Sequence, residues 1–217
     1  MRTQAVRFDV ARLRPQDEHA AVVALARAFH DDPLFNFMMP NHLSQARGTL
    51  TFMHSLIADA MPFDEVWVAR AGDGVVGVAA WLPPGAYPRS AWRDVRKYAR
   101  DLRSALRLGP RMRSGMRLDR ALIEAHARVP EPHWYLSLLA TDPSWQRRGV
   151  GTALLAPVLE RCDDRRELAY LETQKAANVP WYGRHGFDLV EQLSPPDCPS
   201  MWLMLRDPAR AAEHRGL

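Results

Sequence analysis

A run of apolar, strand-forming residues from Trp134 to Ala140 passes through Asp142-Pro143 into Gln146-Arg147-Arg148-Gly149-Val150-Gly151-Thr152, where a helical pattern begins. A strand that turns into a helix leaves the first helical N–H groups without partners. About half a positive charge gathers there, so the turn can hold an anion on its main chain. Gly149 and Gly151 let such an anion come close, and Arg147 and Arg148 add two cations beside it. No lysine follows the second glycine, which argues against a nucleoside-triphosphate loop. Only one residue separates the glycines and no third precedes them, which argues against a dinucleotide fingerprint. The chemistry implied is recognition of a phosphate or pyrophosphate by backbone amides.

The elements that must carry this turn are spread over 217 residues, 29 of them Lys or Arg and 25 Asp or Glu, for a net charge of +4. Hydrophobic residues make up 47% of the chain, the composition of an ordinary globular domain. The mixed charge argues against a nucleic-acid binder, and the absence of a long apolar run argues against a membrane protein. With no secretory signal at the start, a cytoplasmic location is expected. Cys162 and Cys198 stand in no metal or redox spacing, so two free thiols and no metal site are expected.

Hydrophobic spacing predicts a strand at residues 5–9, a helix from Pro15 to about Phe29, and a second helix over Ser44–Ala60 with Ser44 as its cap. A hairpin follows, Glu65–Arg70 and Val75–Leu82, around Gly72-Asp73-Gly74. Residues 89–128 carry twelve basic and four acidic side chains on an amphipathic pattern broken at Gly109-Pro110. Strands are predicted at 133–140, 167–173, 187–192 and 201–206, with helices over 149–161 and 178–185 and a loose tail after Pro208. Pro157, inside one of these helices, predicts a bend.

Six blocks in order resemble the GNAT superfamily of N-acetyltransferases, with the puromycin N-acetyltransferase type closest. They are Glu131 to Leu136, Asp142-Pro143, Gln146 to Gly151 (a Q/R-x-x-G-x-G/A coenzyme A signature), Leu171-Glu172-Thr173, Asn178, and Trp181 to Phe187. The resemblance implies one α/β (α+β) domain over 1–217. Its central mixed sheet would have six to seven strands flanked by helices, a splayed parallel pair at the cofactor site, and a helical insertion at about 85–130. It implies acetyl-CoA as cosubstrate. Leu139, Ala140 and Thr141 would pair with the pantetheine arm, Gln146, Arg147, Arg148, Gly149, Val150, Gly151 and Thr152 would hold the pyrophosphate, and Asn178 would also hold the arm.

Acetyl transfer to an amine needs a neutral nucleophile, a stabilised oxyanion and a proton for the departing thiolate. The resemblance assigns the proton to Tyr182, and Glu172 at a strand end is the candidate base, with Glu131 and His133 in reserve. The acceptor wall is expected from Asp32, Phe35, Phe37, Trp81 and Tyr135, with Asp31, Met38 and Met39 nearby. The implied partner is a small-molecule primary amine, taken by direct attack in a ternary complex, and the protein would be a monomer or homodimer. Two alternatives stay open: a non-catalytic acyl-CoA-binding regulatory module, and an acetyltransferase of peptide or protein amines.

Overall fold

The computed structural model describes residues 7–38, 42–87, 93, 111–130 and 132–215. In chain order the elements are β1 (Asp9–Arg12), α1 (Glu18–Ala28), α2 (Pro33–Met38), α3 (His42–Ala60), β2 (Val66–Ala71), β3 (Gly74–Leu82) and α4 (Met112–His126). They continue with β4 (His133–Thr141), α5 (Val150–Arg165), β5 (Leu168–Thr173), α6 (Val179–Gly183), β6 (Phe187–Leu193), β7 (Met201–Arg206) and α7 (Pro208–Arg215). Among the described residues the strands form one seven-stranded mixed sheet of order β1-β2-β3-β4-β5-β7-β6. Only β4 and β5 run parallel; the other neighbours are antiparallel. This is the GNAT arrangement.

Strand side chains alternate between faces, so β3 supplies both cores. Val78, Ala80 and Leu82 pack with Leu25, Phe35, Met53 and Ile57 from the first three helices. Ala79 and Trp81 pack with Val150, Leu154, Leu155 and Val158 of α5 on the opposite face. A third cluster lies beside the first, where Leu118 and Ala125 of α4 meet Tyr170 of β5 and Leu203 of β7. Burying both faces of the central strands accounts for their near-continuous apolar character. No helix among the described residues is long and apolar enough to cross a membrane.

Several expectations need correction. The first strand lies at Asp9–Arg12 rather than 5–9. The second helix starts at His42, which puts Ser44 inside its first turn. The chain after Pro208 is helical, with Ala211 buried against Gly186, where an added Cβ would come within 2.7 Å of the alanine's own. Helix α5 ends at Arg165 rather than 161, with Pro157 inside it. The first part of the basic segment, including Trp92 and Leu106, lies outside the described residues, as do Met39 and Glu131.

Candidate active site

Parallel pairing between β4 and β5 runs from His133↔Leu168 to Leu136↔Leu171 and stops there, although β4 continues to Thr141 and β5 to Thr173. The cause is local. Opposite β4, Ala80 pairs with Leu138 and Trp81 with Leu136, so Ser137 is an extra residue, a β-bulge. Its hydroxyl donates to the Ala80 carbonyl at 3.1 Å. The bulge also exchanges the faces of β4: Trp134 and Leu136 belong to the α5 core, whereas Leu138 and Ala140 belong to the core under α1 and α3. Beyond it, the edge of β4 turned toward β5 has no strand partner among the described residues, and Glu172 follows the last paired residue of β5, Leu171, at the mouth of the opening.

The turn after β4 has a form that can receive an anion. Asp142 accepts hydrogen bonds from the Ser144 amide (3.0 Å) and hydroxyl (2.6 Å), which starts a single 3-10 turn over Pro143–Trp145. Arg147 (φ 60°) and Gly149 (φ 83°) then adopt left-handed conformations, and α5 begins at Val150. A side chain at Gly149 would meet no protein atom within 4 Å, so that side of the turn is open. At Gly151 a Cβ would lie 3.1 Å from the Trp181 ring, so this glycine lets α6 close against the start of α5. Among the residues expected to hold pyrophosphate, Arg148 departs from the cavity wall, its guanidinium resting 5.3 Å over Trp145.

Turn and strand opening border one cavity of about 930 Å³. Leu139 to Thr141, Gln146, Arg147, Gly149 to Thr152 and Asn178 line one half. Asn178 donates to the Thr173 hydroxyl at 3.1 Å, which ties α6 to the end of β5. Tyr182 is buried beside Trp181 and Phe187, yet its ring borders the cavity and its hydroxyl has no hydrogen-bond partner among the described residues. Burial pushes its phenol above the ordinary range, so it is protonated at neutral pH and able to donate.

The other half is aromatic. Phe35 packs edge-on against Phe29 (5.7 Å) and Phe52 (5.3 Å), and Tyr87 and Tyr135 face one another at 5.1 Å. Glu172 accepts a hydrogen bond from Tyr135 (3.0 Å) on one oxygen and from Tyr170 (3.1 Å) on the other. Asp32 caps α2 and lines the same half.

Two expected wall residues stand elsewhere. Trp81 is fully buried against α5, because in the register it is Leu82, not Trp81, that pairs with Tyr135. Phe37 lies two residues, about 200° of helix, beyond Phe35, and its ring stacks under Arg111 at 5.6 Å. His133 is also turned away from the cavity. Its Nδ1 lies 3.0 Å from the Pro130 carbonyl, which can only accept, so that nitrogen carries a proton, and its Nε2 lies 2.8 Å from His126 Nε2. Phe29, Phe52, Leu56, Tyr87, Asp119 and Lys175 line the cavity without having been singled out in the sequence.

Comparison with known proteins agrees with this architecture. The model of the acetyltransferase (GNAT) family matches residues 41–187. An acetyltransferase of Stachybotrys chartarum is 28% identical over 203 residues, covering 88% of this chain and 85% of the relative. The solved structure of a histone acetyltransferase HPA2 and related acetyltransferase from Corynebacterium glutamicum superposes with a TM-score of 0.64 at 25% identity, covering 93% of this chain and 96% of its own. Arylalkylamine N-acetyltransferase 2 from Aedes aegypti shares the fold, with a TM-score of 0.62 at 13% identity over 93% of this chain and 99% of its own.

Proposed function

Because the chain belongs to the GNAT acetyltransferase family, we propose that it is an acetyl-CoA-dependent N-acetyltransferase acting on the primary amine of a small molecule, by direct attack in a ternary complex. The observation that carries this reading is the convergence, in one cavity, of an open strand edge, a glycine turn with open space beside Gly149, and Tyr182, whose hydroxyl has no partner among the described residues. These features suit coenzyme A. The diphosphate would sit on the amides at the start of α5 with Arg147 beside them, and the pantetheine arm would run along the free edge at Leu139 to Thr141 and past Asn178. When bound, acetyl-CoA supplies the acetyl group and a thiolate leaving group.

The chain's own groups then divide the work. A main-chain N–H at Leu139 or Ala140 polarises the acetyl carbonyl, where negative charge develops in the transition state. Glu172 receives the amine proton, directly or through water, while Tyr135 and Tyr170 hold its carboxylate in place. Tyr182 delivers the proton to the departing sulfur. No covalent enzyme intermediate is needed. The likeness to the puromycin N-acetyltransferase type supports a small-molecule acceptor, as does the aromatic enclosure of the site. Thiol release from acetyl-CoA, measured across a panel of primary amines, tests the proposal. Tight coenzyme A binding with no release on any acceptor, unchanged in Tyr182→Phe, would make the protein a binder instead.

A further inference from the structure

We propose that the acceptor is a diamine, whose second, unreacting ammonium is held by Asp32; this rests on the acetyltransferase reading of the same cavity. Asp32 is 2% exposed, and its hydrogen bonds are one-sided. The Leu34 amide (3.0 Å), the Phe35 amide (3.4 Å) and the Gln174 side chain (3.3 Å) all donate to Oδ1. Oδ2 receives no hydrogen bond from the described residues, although the residue borders the cavity. Lys175 lowers the cost of the charge from beyond ion-pair distance, and burial still outweighs it, which holds the carboxyl above its ordinary range. A buried carboxylate with one saturated oxygen and one bare oxygen, set in the wall of a cavity, is a receptor for a cation.

The surroundings favour the same ligand. Among the described residues, Asp32, Asp119 and Glu172 line the acceptor half with Lys175 as its cation, whereas Arg147, Arg184 and the start of α5 make the other half positive. Phe29, Phe35 and Phe52 present aromatic surface, which attracts ammonium groups. Glu172 does not compete for the second charge, since the proposed mechanism engages it with the reacting nitrogen, at the mouth of the strand opening. A monoamine must be neutral when it attacks, which would leave Asp32 an uncompensated anion once water is displaced. A diamine loses one proton at the reacting nitrogen and keeps the other charge for Oδ2.

Steady-state thiol release with 1,4-diaminobutane and 1,5-diaminopentane, each set against the monoamine of equal chain length, tests the inference in wild type and Asp32→Asn. Asparagine keeps the Oδ1 acceptor and caps helices well, so the substitution removes charge while the fold is retained. In the wild type, kcat/KM for the diamines should exceed that for the monoamines by about thirtyfold, with the difference carried by KM, and the preference should collapse in Asp32→Asn. Equal turnover of the two classes, or a preference that survives the substitution, would overturn the inference and leave the acetyltransferase reading standing. Coenzyme A binding with no thiol release from either class would overturn both.

Discussion

The coenzyme half of the cavity is assembled mainly from main chain, the amides of one turn and the edge of one strand. The acceptor half is assembled from side chains scattered over α2, α3, α4, β4, β5 and the segments between elements. Main-chain recognition tolerates side-chain change but not backbone change; side-chain recognition behaves the other way round. One half of the molecule can therefore keep its ligand while the other is free to adopt a new one.

Tyr182 stands where the halves meet, and its loss should produce the largest effect. Tyr182→Phe is expected to lower kcat by about a thousandfold, the scale of a lost general acid, with coenzyme A affinity by calorimetry held within about twofold. A fall of only severalfold would reduce this tyrosine to packing. In the coenzyme half, Gly149→Glu forces a side chain onto a φ of 83° and sets a carboxylate where the diphosphate would lie. Coenzyme A affinity should drop by about a hundredfold. Gln146→Ala, which leaves the amides in place, should cost about threefold or less. Comparable losses in the two variants would break the distinction between main-chain and side-chain recognition.

In the acceptor half, Tyr135→Phe removes one of the two hydroxyls that fix Glu172. The amine kcat/KM should fall about tenfold while coenzyme A affinity is untouched. The smallest effect concerns stability. Burial makes Asp32 hold its proton more readily in the folded chain than in the unfolded one, so the folded state loses stability as pH rises through the folded ionisation range. Asp32→Asn should therefore raise the melting temperature of the ligand-free protein by roughly 2 °C at pH 7, with the gap closing as pH falls through the folded ionisation range and the wild-type carboxyl takes up its proton. A variant that melts lower at pH 7 would mean that the carboxylate stabilises the empty site.

The same contrast governs what could be read in the sequence. The turn at Gln146 to Thr152 is contiguous, and its glycines and preceding strand mark a candidate main-chain anion site without any tertiary information. Tyr182, Glu172 and Asn178 lay within blocks of family likeness. The acceptor wall had no such signature, since Phe29 just past α1, Phe52 on α3 and Asp119 on α4 come together only in the fold. Trp81 was misplaced because alternation along two strands does not fix their register, and the bulge at Ser137 changes the face of β4 partway along. Phe37 was misplaced because no helix is expected between Phe29 and Ser44, whereas α2 sets Phe35 and Phe37 on different sides. The C-terminal helix was missed because few apolar residues mark it; Ala211 is its buried contact with Gly186.

The parting of β4 from β5 has a consequence for the protein's handling. Sheet rims are sticky, and most chains hide or blunt them. Here a length of rim lies inside the fold, and on the proposed function a small molecule completes it. When coenzyme runs short, an extended polypeptide can settle into the same slot, and the starved protein should clump on storage or warming. Saturating coenzyme A would then act as a plug, keeping the solution clear as well as making the reaction possible.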